Sequence, residues 1–151
     1  MESESFEDNA VERRELFMAI AASRNRYDLE TAASFGDYGT VWQRLEEGAP
    51  VDNPEQGVNT ALMLAAFGGF VDIVRLLFSR GASINRKNAS GENALWRAAS
   101  AGYHEVVQVL LDSGAAPNEP DNDYKRTALS EAVVQANDKV VKVLLAYSVP
   151  F

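Results

Sequence analysis

The sequence predicts an all-α solenoid of stacked helix-turn-helix pairs with hairpin fingers projecting from one side. Three observations predict it. The phrase TALMLAAFGGFVDIVRLLFSRGA (60–82) returns as NALWRAASAGYHEVVQVLLDSGA (93–115), with nine of twenty-three positions identical. Each copy holds two short apolar runs with helical spacing, parted by a glycine. Helices this short cannot bury an apolar side alone but can do so against neighbouring copies, which is how a solenoid shares its core.

The elements follow in order. Residues 1–9 are acidic and are expected to be disordered. Residues 10–26 read as a capping helix with Leu16, Phe17 and Ile20 as its apolar stripe. The run RRELFMAIAAS (13–23) imitates a secretion signal, but Glu2, Glu4, Glu7, Asp8, Glu12 and Glu15 outweigh Arg13 and Arg14, and the run is too short to cross a bilayer. Four repeats are expected at about 27–57, 58–90, 91–124 and 125–151. The first keeps Leu29, Ala32, Ala33, Gly36, Val41, Gly48 and Ala49; the fourth keeps Ala128, Leu129, Ala132, Val141 and Leu144 after one inserted residue.

Within the second copy, Leu62, Ala65 and Ala66 fall on one helical face, and Gly69 ends that helix. Ile73, Val74, Leu76 and Leu77 form a second face ending at Gly81. The polar stretch GASINRKNASGEN (81–93) is expected to be an extended hairpin arm. Trp42 stands on the usually exposed side of a second helix, where packing against the capping helix would explain it. Val133, Val134, Val140, Val141, Val143, Leu144 and Leu145 crowd the last copy, so its outer edge is expected to be covered by Phe151, by further repeats or by self-association.

Chemistry is not expected from this chain. There is no cysteine, and His104, the single histidine, is expected in a solvated loop. DNDYKRTALSEA (121–132) starts like a calcium loop, but Lys125, Arg126 and Ala132 occupy positions that need a ligand, a glycine and a bidentate acid. NAS (88–90) matches a glycosylation acceptor only by its letters. No phosphate-binding loop or nucleophile elbow occurs, so no enzyme, cofactor or metal is expected. A net charge of −8 repels phosphate backbones and anionic lipid, which leaves a protein or peptide with a basic face as the expected partner, and neither nucleic acid nor membrane.

The phrases TALMLAA…G…IVRLL…GA, NALWRAA…G…VVQVL…GA and TALSEAV…VVKVL resemble the ankyrin repeat from about residue 27 to 149. Asn85, Asn88 and Gly91 match the family's finger. The family's proline is Ala61, Ala94 and Ala128 here, and its histidine is Met63, Trp96 and Ser130. Those departures are expected to cost each repeat roughly 1 kcal/mol through a lost cap or bond. Gly57 falls one place early, and Lys125 replaces the finger glycine.

The resemblance implies a protein-binding module that grips its partner with finger tips and first helices; with the secretion signal rejected, the protein is expected to be intracellular, cytoplasmic or nuclear. The matching finger positions are Gln56, Asn59, Ser90, Glu92, Asp123, Tyr124 and Arg126; on the first helices they are Phe67, Ser100, Ala101, Val134 and Gln135. Met63 and Trp96 lie beside them. Trp96 is read either as an aromatic anchor for a cationic or extended peptide, or as filler for the space the histidine bond leaves. The alternatives are a reader of basic, lysine-rich tails and the repeat fragment of a larger scaffold or enzyme-containing protein.

Overall fold

A computed structural model of the protein describes residues 28–121 and 123–148. The expected acidic segment, the capping helix and Phe151 lie outside them. Among the described residues the chain forms four helix pairs: α1 (Leu29–Phe35) with α2 (Tyr38–Glu46), α3 (Ala61–Gly68) with α4 (Val71–Ser79), α5 (Ala94–Ala101) with α6 (His104–Asp112), and α7 (Ala128–Val134) with α8 (Asp138–Ser148). None of these helices is long and apolar enough to cross a membrane.

Local chemistry starts each first helix. Asp28 accepts from the Thr31 N–H at 2.7 Å and Asn93 from the Trp96 N–H at 2.8 Å. Thr60 accepts from the Met63 N–H at 3.3 Å. Thr127 accepts from the Ser130 N–H at 3.1 Å, while Ser130 Oγ accepts from the Thr127 N–H at 2.8 Å, a closed capping box. The cap loss expected from the missing proline is therefore corrected. The residue just before each alanine supplies the acceptor that helix N-termini need.

The first helices lie side by side in the order α1, α3, α5, α7, and the second helices form a parallel row behind them. Alanine pairs make the first row close: Ala32, Ala33, Ala65, Ala66, Ala98 and Ala99 all have 0% exposure. Behind them Val41, Ile73, Val74, Leu77, Val106, Val107, Leu110, Val140 and Leu144 fill the space between rows. Each such aliphatic side chain contributes about 1.5–3 kcal/mol relative to leaving it in water.

Turn geometry ties one pair to the next. Gly69 ends α3 at φ 76°, and a Cβ placed there would stand 2.6 Å from the Tyr103 ring of the following pair. The equivalent position between α7 and α8 is Ala136, which holds a left-handed φ of 58° despite its side chain. His104 is the half-buried first residue of α6 rather than a solvated loop residue. Trp42 is 47% exposed.

Among the described residues the fingers are built from turns and carry an isolated parallel bridge, between Gly57 and Asn88, instead of paired strands. Neighbouring fingers are linked at their bases. Asp52 accepts from Ser83 N–H at 3.0 Å and Ser83 Oγ–H at 2.6 Å, and Asn85 accepts from Ala116 N–H at 3.0 Å. At the second tip Asn88 Oδ1 accepts from the Ser90 and Glu92 N–H groups, each at 3.0 Å. At the third, Asp121 Oδ1 accepts from Tyr124 and Arg126 N–H at 3.1 and 2.8 Å. The inserted residue thus falls inside the third tip, and Lys125 takes φ 56° where Gly91 takes 77°.

Candidate protein-binding face

The solvent side of the first helices and the inner side of the fingers together bound one surface. On its floor, Phe67 is 49% exposed and Val134 67% exposed, with half-buried Ser100 and Ala101 between them in the helix order. At its rim Tyr124 is 73% exposed, beside a shallow hollow of about 570 Å³ that Tyr124 and Arg126 line.

Charged side chains stiffen this face. The Arg97 guanidinium lies over the Phe67 ring, 4.5 Å from its centroid, and pairs with Glu92 at 3.3 Å. Glu92 is held in turn by Asn88 Nδ2–H at 3.0 Å, and the same amide donates to Asn59 at 2.9 Å. One finger and one helix of the second and third repeats are thereby linked through side chains. Further along, Arg126 lies over the Tyr124 ring at 4.8 Å and pairs with buried Glu131 at 3.1 Å. Glu131 also accepts from Gln135 at 3.1 Å and from Ser100 at 3.5 Å. Asp121, likewise buried, lies 3.8 Å from the Arg126 Nε.

At the far end of the row, Glu30 occupies the helix position that Trp96 holds in the third repeat. Burial raises its carboxyl above the usual range, and the nearby Asp28 charge adds to that; hydrogen bonds from its own backbone and from Asn53 oppose it.

The repeated geometry has a counterpart among known families. A family model described as ankyrin repeats (3 copies) matches residues 29–121 and 88–150. The chain belongs to the ankyrin-repeat family. No curated protein matches it. Ankyrin repeats are in general protein–protein interaction modules and are typically non-catalytic. Among the described residues of this ankyrin chain, no cluster of three or more histidine or acidic side chains could hold a metal ion.

The sequence-expected contact residues divide into three groups. Gln56, Phe67, Asp123 and Tyr124 are exposed; Asn59, Ser90, Glu92, Ser100 and Arg126 are half-buried and mostly engaged in the finger and helix networks above. Met63 and Trp96 are buried, at 1% and 8% exposure, and offer no surface to a partner. That corrects their place beside the contact face. Both sit next to the close-packed alanines, where an apolar side chain turns inward. Trp96 also donates its Nε1–H to the Arg126 carbonyl at 3.2 Å, so it supplies a helix-to-finger bond with the histidine absent. The sequence reading missed Arg97, Glu131 and Asp121. Asp121 was findable, since it aligns with Asn88 one repeat earlier.

Proposed function

We propose that this ankyrin-repeat chain holds a partner protein or peptide along its inner face and finger tips, and that it does so without catalysis. The observation that supports this reading most is the exposure of Phe67 and Tyr124, two aromatics that folding leaves at 49% and 73% while arginines fix their rings in place. A preset aromatic loses little freedom on binding, which is why such side chains anchor interfaces. The contact set proposed is Gln56, Phe67, Ser100, Asp123 and Tyr124, with Glu92 and Arg126 holding them.

A basic face on the partner is a second reading. It is favoured by Asp121 and Glu131, two buried carboxylates that share the single Arg126 guanidinium, and by the net charge of −8. An affinity capture compares the native chain with Phe67→Ser/Tyr124→Ser and with Arg75→Ala, the last on the opposite side in a hollow of about 510 Å³ with Tyr38, Phe70 and Glu105. The reading expects the double variant to lose its partners with a fall in melting temperature of only a few degrees, from the two lost arginine–ring contacts, and Arg75→Ala to keep them. Partners lost only with Arg75→Ala would refute it. Release by moderate salt would support the basic face, and salt-independent binding would remove it.

A further inference from the structure

The finger tips of the third and fourth repeats are built on one plan but carry different charges. Asn88 and Asp121 hold the same place, one period apart. Each donates its own N–H across the turn, to the Glu92 carbonyl at 2.9 Å and to the Arg126 carbonyl at 2.8 Å. Each side chain then accepts two N–H groups on its Oδ1: Asn88 from Ser90 and Glu92, both at 3.0 Å, and Asp121 from Tyr124 and Arg126 at 3.1 and 2.8 Å. Asn88 does this with a neutral amide. The turn therefore does not require the charge of Asp121.

The ion pairs beside these tips run in opposite senses. In the third repeat Glu92 of the finger meets Arg97 of the helix, one carboxylate to one guanidinium. In the fourth, Arg126 and Glu131 take those positions with the signs exchanged, and Asp121 adds a second carboxylate to the same guanidinium. Asp121 and Glu131 are 3% and 4% exposed, so a surplus negative charge is held away from water, where it is costly. Exposed Asp123 and Lys125 at the tip offset each other. The Arg126 Nε lies 3.8 Å from Asp121 Oδ2, too far to donate, and among the described residues no hydrogen bond reaches that oxygen. Beside it the Tyr124 ring is 73% exposed, with Arg126 over one face and the hollow of about 570 Å³ alongside.

We infer, on the basic-face reading above, that Asp121 is the acceptor for a basic side chain of the bound protein. A partner's lysine or arginine enters the hollow, lies against the uncovered face of Tyr124 and pairs with Asp121 Oδ2. Two cations then answer the two carboxylates, Arg126 on Glu131 and the partner's on Asp121. The aromatic face and the carboxylate both favour a cation, and salt screens a charge so buried only weakly. The third repeat, neutral at Asn88, has no such acceptor.

Asp121→Asn separates the charge from the turn, because Asn88 holds the same bonds with an amide. The native chain and its variants are titrated with acetyl-triarginine amide and with acetyl-triglutamate amide, and NMR follows the backbone amides of residues 121–126. Asp72→Asn, at the outer hollow, makes the same charge change elsewhere. Triarginine is expected to move these resonances in the native chain, and triglutamate to leave them in place. Asp121→Asn should weaken triarginine binding about fivefold or more without lowering the melting temperature, and Tyr124→Ser should weaken it as well; Asp72→Asn should change it less than about twofold. Equal weakening by Asp121→Asn and Asp72→Asn would assign the binding to the general field of the chain and overturn the inference. So would an Asp121→Asn chain that fails to fold, or that loses stability at unchanged affinity, since the charge would then serve the turn. Triarginine that leaves residues 121–126 unmoved, while a partner still crosslinks from Phe67 and Tyr124, would overturn it and leave the binding face standing.

Discussion

Gly69→Ala and Gly81→Ala make a pair that separates backbone strain from contact between repeats. Both glycines have left-handed backbones, φ 76° and 88°, so both substitutions carry the cost of an L residue there, about 1–2 kcal/mol. Loss of unfolded-chain freedom offsets about 0.5 kcal/mol of that in each case. At Gly81 nothing lies within 4 Å of the added Cβ, so about 1 kcal/mol is the whole expected loss. At Gly69 the Cβ meets Tyr103 Cδ1 and Cε1, both at 2.6 Å. That is about 1 Å inside ordinary carbon contact, so the ring must move off the turn. Overpacking of this kind costs a further 1–3 kcal/mol or so, for a total of about 2–4 kcal/mol. Urea unfolding followed by circular dichroism measures both, with Gly69→Ala/Tyr103→Ala closing a double-mutant cycle. Coupling above about 1 kcal/mol is expected. Equal losses at the two glycines, or additivity in the cycle, would refute the stacking of Tyr103 on the preceding turn.

Other perturbations have equally definite outcomes. Lys125→Gly and Ala136→Gly each relieve a left-handed non-glycine backbone and should each stabilise the chain by about 1 kcal/mol in the same urea assay. Trp96→Phe removes the Nε1–H bond to Arg126 and should cost about 1 kcal/mol, while Trp96→Ala should cost about 3–5 kcal/mol; the Phe variant should bind partners as the native chain does. Arg126→Ala leaves buried Glu131 without its cation and should destabilise by about 2–3 kcal/mol, a figure reduced for the arginine's own 37% exposure. Burial raises the folded-state pKa of Glu30, so the folded chain binds its proton more tightly than the unfolded one, and stability falls as pH rises from the ordinary glutamate range through the raised value. Glu30→Gln should therefore be the more stable protein near neutrality, with the advantage vanishing in acid, as melting curves across pH will record.

The helix pairs were legible because their signals are local and repeated: alanines and aliphatics at helical spacing, a glycine at three of the four turns within the pairs, and a period that brings like residues together. The contact face was less so. Phe67 and Tyr124 could be placed by alignment, but Met63 and Trp96 could not, because a family position fixes a backbone site and not the direction an unusual side chain takes. Their apolar bulk is better satisfied among the alanines than in water. Arg97 on Phe67 and Arg126 on Glu131 were illegible for a different reason. They join side chains 30 and 5 residues apart, and no periodicity marks a cation laid on a ring of the preceding first helix or a finger arginine paired with a carboxylate of the helix after it. The missing caps were an error of the opposite kind. Attention to the absent proline overlooked Thr60, Asn93 and Thr127, each an ordinary capping residue one place before it.

Photo-crosslinking from single positions tests the binding face most directly. A photoreactive amino acid is placed at Phe67 or Tyr124 on the inner face, or at Arg75 on the outer helices, and adducts are mapped after exposure to cell extract. Adducts to a shared partner from Phe67 and Tyr124, with none from Arg75, are the predicted result. A partner caught from Arg75 while the two aromatic positions stay silent would contradict the account.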